Sequence, residues 1–232
     1  MVNIAANIEQ TRQKIANYAT KYQRSASELT LLAVSKTHSA ELIRQAYDCG
    51  QRDFGESYLQ EALDKIQTLK DLDIHWHFIG AIQSNKTRDI ASVFSWVHSV
   101  DRLKIAHRLS EQRPVGLPPL NICLQVNISH ETSKAGMSLQ ELPAIAAETA
   151  TLPGIKLRGL MAIPQATEDF SAQRSAFKQL HEALESLNQQ GFALDTLSMG
   201  MSDDMEAAIA EGATMLRIGT AIFGYRPRKQ SR

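Results

Sequence analysis

Apolar and polar residues follow two different periods along this chain, and the switches between them divide it into predicted elements. Residues 3–22 place apolar side chains at helical spacing, which predicts one amphipathic helix. After this helix, short apolar runs alternate with stretches of helical pattern. The runs lie at 30–35, 51–54, 75–79, 94–97, 120–126, 156–160, 195–198 and 214–218, and the helical stretches at 39–49, 57–69, 84–91, 102–112, 138–150, 170–189 and 203–211.

Regular alternation of strands and helices predicts a parallel sheet, and eight strand units predict a (β/α)₈ barrel. The length of 232 residues suits one such barrel preceded by an extra helix. We therefore expect an α/β fold with a single domain over residues 1–232. The basic end, residues 226–232, is predicted to be a frayed tail.

Composition excludes several classes of protein. The formal net charge is zero, which gives no reason to expect nucleic acid or an anionic membrane as a partner. No apolar run reaches the length of a membrane span, and the polar N-terminus does not resemble a secretion signal. The two cysteines, Cys49 and Cys123, have no metal-ligand spacing and are too few for a disulfide scaffold. We expect a cytoplasmic protein.

Chemistry is suggested by a lysine at the end of the first predicted strand and by two late turns. Lys36 is the first charged residue after the run LLAVS, and turns follow at Ser198–Met201 and Gly219–Thr220. In a barrel the first and eighth strands are neighbours, and phosphate commonly binds at the loops after strands seven and eight. An amine beside phosphate-binding turns is typical of a pyridoxal phosphate (PLP) site. The alternative for Lys36 is a solvated surface charge.

Arg217 and two histidines leave alternatives open. Arg217 lies inside the eighth predicted strand, where it could form an interior ion pair with an acid such as Glu56 or face the pyridine nitrogen of PLP. His75 and His77 share one face of a strand, which permits a metal site, but no third ligand is evident in the sequence. We expect no metal. Ser202 is expected only to begin the helix at 203–211.

Eight stretches of the sequence resemble one family. The chain is similar to pyridoxal phosphate homeostasis proteins of the YggS/PROSC type, with the cyanobacterial branch as a candidate origin. The resemblance covers nearly the whole chain and is carried by AVSKTH (33–38), DFGESYLQE (53–61), WHFIGAIQSNK (76–86), SVDR (99–102), QVNISHETSKAG (125–136), RGLMAI (158–163), LSMGMSDDMEAAI (197–209) and RIGTAIFGYR (217–226).

The resemblance implies a PLP-binding barrel like the barrel domain of alanine racemases, and it implies roles for individual residues. Lys36 would carry PLP as an internal imine. Arg217 would face the pyridine nitrogen. The remaining cofactor-binding residues would be Ser198, Gly219 and Thr220 at the phosphate, together with Ser57 and Met161. The family usually has Asn where this chain has Ser57, so an amide hydrogen bond to the cofactor is not expected here.

The resemblance also implies a function without established catalysis, namely PLP homeostasis by buffering or delivery and a part in amino-acid and keto-acid balance. We expect no catalytic residues, a monomer, and PLP-dependent apoenzymes as candidate partners. The alternative is a racemase-like PLP enzyme. The end of the sequence shortly after the eighth unit favours the binder, because alanine racemases take a second acid–base group from an added domain. A barrel enzyme acting on a phosphorylated metabolite ranks third.

Overall fold

In a computed structural model, residues 2–129 and 135–225 are described. They contain eight strands and nine α-helices. The strands are β1 (Thr30–Val34), β2 (Asp53–Glu56), β3 (His75–Phe78), β4 (Trp96–Val100), β5 (Leu120–Gln125), β6 (Ile155–Met161), β7 (Thr196–Ser198) and β8 (Met215–Ile218). The helices are α1 (Ile4–Lys21), α2 (Ala40–Asp48), α3 (Leu59–Thr68), α4 (Thr87–Val93), α5 (Leu103–Gln112), α6 (Leu142–Ala150), α7 (Phe170–Gln189), α8 (Met205–Ala210) and α9 (Thr220–Phe223).

The strands form a closed parallel barrel in chain order, which confirms the predicted fold class. Closure joins the first strand to the last, with Thr30 paired to Met215 and Ala33 to Ile218. Because all strands run the same way, the loops that follow them gather at one end of the barrel. The loop after β1 therefore lies beside the loop after β8, and the two ends of the sequence meet.

Strand residues divide between the outside and the inside of the barrel. Outward-facing apolar side chains pack under the helices and build most of the core; Phe54, Phe78, Phe94 and Phe177 are almost fully buried there. The interior is partly polar. His98 on β4 and Ser198 on β7 touch although their strands are not neighbours, so their side chains meet inside the barrel.

The extra N-terminal helix packs against the last two helices. Ile4, Ile8 and Ile15 are buried on one face of α1, as the periodicity predicts. The side-chain amide of Asn7 donates to the Ile222 carbonyl, and Lys21 pairs with Glu206 at 2.7 Å. Helix α1 thereby reaches the end of the barrel where β8 terminates.

Two local features differ from the sequence prediction. Helix α9 was not predicted, and the predicted helix at 84–91 is a 3₁₀ turn, Ser84–Lys86, followed by α4. Both are short, and periodicity cannot resolve elements of one or two turns. Residues 226–232 lie outside the described residues, so the frayed tail stays a prediction. Among residues 2–129 and 135–225, no helix has the length and apolar character needed to cross a membrane.

Candidate functional site

A cavity of about 990 Å³ opens where the strands end, and four of the seven predicted site residues line it. Those four are Lys36, Arg217, Gly219 and Thr220. Most of the other lining residues fall into three groups: positions on α1, the loop after β6 with the start of α7, and the loop after β7 with the start of α8. The full lining is Thr11, Lys14, Tyr18, Val34, Lys36, Ile79, Ile163, Thr167, Glu168, Phe170, Gln173, Met201, Ser202, Asp203, Met205, Glu206, Arg217, Gly219, Thr220, Ala221 and Tyr225.

Lys36 is held in a short loop whose backbone is fastened on both sides. It lies two residues beyond the end of β1 and is half-buried. The Lys65 ammonium donates to the carbonyl of Ser35 at 2.9 Å, and the backbone N–H of Thr37 donates to Glu61 Oε1 at 2.6 Å. Thr37 has a φ of 69°, a left-handed conformation that is costly for a β-branched residue. The loop therefore depends on these contacts for its shape.

These contacts belong to a buried cluster that we call the lysine network, formed by Ser35, Glu56, Glu61 and Lys65. The Lys65 ammonium also donates to Glu56 Oε1 at 2.8 Å and to Glu61 Oε1 at 2.5 Å, so its three donors are all used. The Ser35 hydroxyl donates to the same Glu56 oxygen at 2.6 Å. Burial raises the pKa of Glu56, although Lys65 opposes this.

The lysine network was missed at the sequence level, but one signal was available. Lys65 occupies the apolar face of α3 one turn after Glu61, and a charged residue at a core position needs a partner. The acid suggested as a partner of Arg217 was Glu56. That prediction is wrong, because Glu56 pairs with Lys65.

Arg217 is almost fully buried and is held by oxygen atoms of Ser198, the last residue of β7, and of Ala162, the residue after β6. Its Nη1 donates to the Ser198 carbonyl at 2.5 Å and to the Ser198 hydroxyl at 2.9 Å, and its Nη2 donates to the Ala162 carbonyl at 2.9 Å. Burial lowers the pKa of Arg217 to about 10, so the guanidinium remains charged at neutral pH. Nε–H and one Nη2–H have no partner among the described residues, and Arg217 lines the cavity.

Arg217 stands at one end of a row of polar side chains that crosses the barrel interior. We call this row the histidine network: Arg217, Ser198, His98, His77 and Asp53. Ser198 Oγ lies 2.7 Å from His98 Nδ1, His98 Nε2 lies 2.9 Å from His77 Nδ1, and His77 Nε2 lies 3.1 Å from Asp53 Oδ1. Asp53 begins β2, at the opposite end of the barrel from the cavity. The sequence analysis had not connected these residues.

The surroundings of the two interior histidines favour their neutral forms. Burial, His77 and Arg217 together hold the pKa of His98 well below its usual value. Burial also lowers the pKa of His77, against the opposing effect of Asp53. Burial alone would raise the pKa of Asp53, but hydrogen bonds and charge interactions with His77 and His75 outweigh it, and the pKa is lowered. Asp53 is therefore ionised at neutral pH.

The turn after β8 brings backbone N–H groups to the cavity. A Cβ atom on Gly219 would lie 3.2 Å from the Val34 carbonyl, so glycine allows the turn to approach β1 closely. The first N–H groups of α9 have no acceptor within the helix, and Thr220 and Ala221 are exposed to the cavity. An anionic group could accept from them.

The loop after β7 adds Ser202 to the cavity wall, a residue that was expected from the sequence only to begin a helix. Gly200 has a φ of 93°, and a Cβ atom there would lie 2.6 Å from Ala208 Cβ. The backbone N–H of Met201 donates to Asp204 Oδ1 at 2.5 Å. This tight loop places Met201 and Ser202 in the cavity wall, where Ser202 offers a hydroxyl.

The other three predicted site residues lie close to the cavity without lining it. Ser198 ends β7 and is fully buried, with its hydroxyl bound to His98 and Arg217. Met161 ends β6 and is 1% exposed. Ser57 follows β2, half-buried, with its backbone packed against Gly80. Contact of these three residues with a cofactor stays a prediction.

A metal site is not supported in the part of the chain that the structure describes. His75 and His77 do share a face, but both contact one oxygen of Asp53 at 3.1 Å. No group of three or more metal-ligating side chains is found among residues 2–129 and 135–225.

The cavity suits a small anionic cofactor. Its volume lies near the upper end of the range of about 300–1,000 Å³ that is usual for ligand sites. It brings together a lysine amine, a buried guanidinium with unused donors, and a turn that presents backbone N–H groups. The presence of the amine, the cation and the N–H groups in one cavity fits PLP, which carries an aldehyde, a basic ring nitrogen and a phosphate.

Comparison with known sequences identifies relatives along the whole chain. The family described as alanine racemase, N-terminal domain, matches residues 4–227. A protein of Pseudomonas aeruginosa named pyridoxal phosphate homeostasis protein is 59% identical, with 97% of each chain covered. The protein of the same name from Escherichia coli K12 is 53% identical, covering 97% of this chain and 98% of the relative.

Solved structures give the same result for the fold. PipY of Synechococcus elongatus, solved with PLP bound, has a TM-score of 0.84 and 37% identity, covering 96% of this chain and all of PipY. Alanine racemase of Corynebacterium glutamicum has a TM-score of 0.73 at 15% identity, and the match spans 63% of that enzyme. The second likeness shows the barrel fold alone. The cyanobacterial origin stays a prediction.

Proposed function

The chain belongs to the pyridoxal phosphate homeostasis protein family, and on that premise we propose that its cavity binds PLP, linked to Lys36, for intracellular buffering or delivery of the cofactor. One observation carries the proposal: Lys36, near the start of the chain, and Arg217, Gly219 and Thr220, near its end, line one cavity. The PLP bound to PipY supports it, since PipY shares the fold over nearly the whole chain. The proposal includes a cytoplasmic location.

Each lining residue has a distinct task in this proposal. The cofactor supplies an aldehyde carbon, and Lys36 provides the amine that attaches to it. The backbone N–H groups of Gly219 and Thr220 hold the phosphate. Arg217 directs its unused donors at the ring nitrogen. Ser198, which is buried behind the cavity wall, holds Arg217 in place. A charged guanidinium at the ring nitrogen disfavours protonation of that nitrogen and so weakens the ring as an electron sink.

Titration with PLP and visible absorbance tests the attachment. The wild-type protein should develop the absorbance of a lysine-bound aldehyde, and Lys36→Ala should not. Lys14→Ala is the matched control, because Lys14 lines the same cavity. An unchanged absorbance in Lys36→Ala, or its loss in Lys14→Ala alone, would contradict the assignment of Lys36.

A comparison of PLP with pyridoxal tests the phosphate turn. Pyridoxal lacks the phosphate and should bind at least tenfold more weakly, because each charge-assisted hydrogen bond contributes about 1.5–3 kcal/mol. Gly219→Ala should weaken PLP binding but leave pyridoxal binding nearly unchanged. Equal affinity for the two compounds would exclude a phosphate site at this turn.

Absence of turnover is the finer part of the proposal, and an amino-acid racemase is the competing function. The holoprotein is incubated with L-alanine in heavy water, and exchange of the α-proton and loss of chirality are followed. We expect negligible exchange. Exchange at about 1 s⁻¹ or faster that disappears in Lys36→Ala would show that the protein is an enzyme and would contradict the proposed binding role.

A further inference from the structure

The donor and the acceptor of each hydrogen bond in the histidine network can be derived from the two ends of the row. At one end, the ionised Asp53 can only accept, so His77 Nε2 carries a proton and donates to it. A neutral His77 then has an acceptor at Nδ1. His98 Nε2 must therefore donate to His77, which leaves His98 Nδ1 as an acceptor.

The other end imposes the same order independently. Arg217 can only donate, so the Ser198 oxygen accepts from its Nη1. A hydroxyl oxygen can accept twice, but among the described residues His98 Nδ1 is the one acceptor within reach of the Ser198 hydroxyl proton, so that proton is satisfied only if His98 Nδ1 accepts it. The two derivations agree at His98. Every group in the row is satisfied only if both histidines are neutral and protonated at Nε2.

From this agreement we propose that His98 is a positioning residue, which fixes the Ser198 hydroxyl and through it holds the Arg217 guanidinium at the cavity. The geometry makes the arrangement specific, because Ser198 lies between the two side chains and its rotation would break contacts to both. The other hydrogen bonds of Arg217 to residues 2–129 and 135–225 go to two backbone carbonyls, of Ser198 and Ala162. No proton is transferred along the row.

The functional consequence rests on the proposed PLP site. A guanidinium fixed by Ser198 presents its unused donors in one orientation, which lowers the entropy lost when a ring nitrogen binds. A guanidinium released from Ser198 could adopt several rotamers. His98 thus affects the cofactor without lining the cavity.

The first test does not need the cofactor. Nitrogen-15 NMR of the histidines in the cofactor-free protein should show His98 and His77 neutral, with the proton on Nε2 and none on Nδ1. A proton on Nδ1 of His98, or a cationic His98 at neutral pH, would overturn the derived direction. This result stands or falls independently of PLP binding.

The second test uses two amide substitutions that preserve opposite halves of the imidazole. His98→Asn keeps a polar group near the position of Nδ1 and can still accept from Ser198. His98→Gln places its amide near the position of Nε2, towards His77, and loses the contact with Ser198. Pyridoxine phosphate serves as the probe, because it carries an alcohol in place of the aldehyde and cannot attach to Lys36.

His98→Asn should bind pyridoxine phosphate within about threefold of the wild type, and His98→Gln about tenfold more weakly. If His98 only fills space, the larger Gln should be tolerated at least as well as Asn, and that result would overturn the proposal. Thermal unfolding of both variants shows that they are folded. Should the wild type bind neither PLP nor the probe, the proposed function fails while the tautomer test still decides the hydrogen-bond direction.

Discussion

The two sides of the cavity hold their cations by different physical means. On the Lys36 side, the ammonium of Lys65 contacts the carboxylates of Glu56 and Glu61 directly. On the neighbouring Arg217 side, the charge of Arg217 faces backbone carbonyls and a hydroxyl, and the carboxylate of Asp53 is separated from it by three neutral side chains. The lysine network gains its stability from opposite charges in contact, whereas the histidine network depends on correctly oriented hydrogen bonds.

Because of this difference, the two networks contribute different things to the site: a fixed backbone around Lys36, and free hydrogen-bond donors on Arg217. Charge contact fixes a backbone firmly, and the lysine network fastens the residues on either side of Lys36. Oriented hydrogen bonds leave a guanidinium with unused donors, which a ligand can then use. One side therefore positions the attachment point, and the other side presents a cation for recognition.

The largest expected effect is that of Lys65→Met. It leaves the buried Glu56 and the half-buried Glu61 without their cation, which should lower the free energy of unfolding by about 3 kcal/mol. Lys178→Met is the control, because Lys178 forms an exposed i,i+4 pair and should cost less than about 0.5 kcal/mol. Urea unfolding measures both. Similar values for the two variants would show that the lysine network contributes little.

Arg217→Gln should have a smaller effect on stability, because loss of the hydrogen bonds is partly offset by removal of a buried charge that forms no ion pair within the described part of the chain. We expect a loss of about 2 kcal/mol by urea unfolding. Arg174→Gln, which removes an exposed arginine, is the control. A loss larger than that of Lys65→Met would reverse the comparison between the two networks.

Most of the fold was predictable from the sequence, because it depends on the periodicity of side chains. All eight strand runs and the helix at 170–189 were placed within a few residues. Lys36, Arg217, Gly219 and Thr220 were also brought together correctly, since barrel closure alone puts the first strand beside the last.

The histidine network was not predictable, because it depends on contacts across the barrel interior. His98 and Ser198 are one hundred positions apart, and spacing along the chain says nothing of their meeting. Lys65 was the exception, since its place on an apolar helix face is visible in the sequence. Glu56 was suggested as one alternative partner of Arg217 because Lys65 had not been considered as the partner of Glu56.

Acidification should change the free energy of unfolding less than Lys65→Met or Arg217→Gln does. It also tests the histidine network separately, through the titration of His98. Because the pKa of His98 is lower in the folded chain than the unfolded value of about 6.5, the unfolded state takes up a proton first as pH falls. The free energy of unfolding therefore decreases as the pH is lowered from about 6.5, by up to about 1.4 kcal/mol per pH unit for this group.

His98→Asn has no titrating group at this position, so it should lose less stability than the wild type as the pH falls from about 6.5 to 5. Urea unfolding at each pH measures the difference. His107→Asn is the control, because it removes an exposed histidine beside Glu148 instead of a buried one. Parallel curves for wild type and His98→Asn would mean that His98 is not kept neutral by the fold.

The central claim is that the two sides meet around PLP with Lys36 as its point of attachment. Borohydride reduction of the PLP-loaded protein, followed by peptide mass mapping, tests this claim most directly. The account predicts a reduced adduct on the peptide containing Lys36, and none in Lys36→Ala. An adduct confined to another lysine, such as Lys14 in the same cavity or Lys65 in the lysine network, would contradict it.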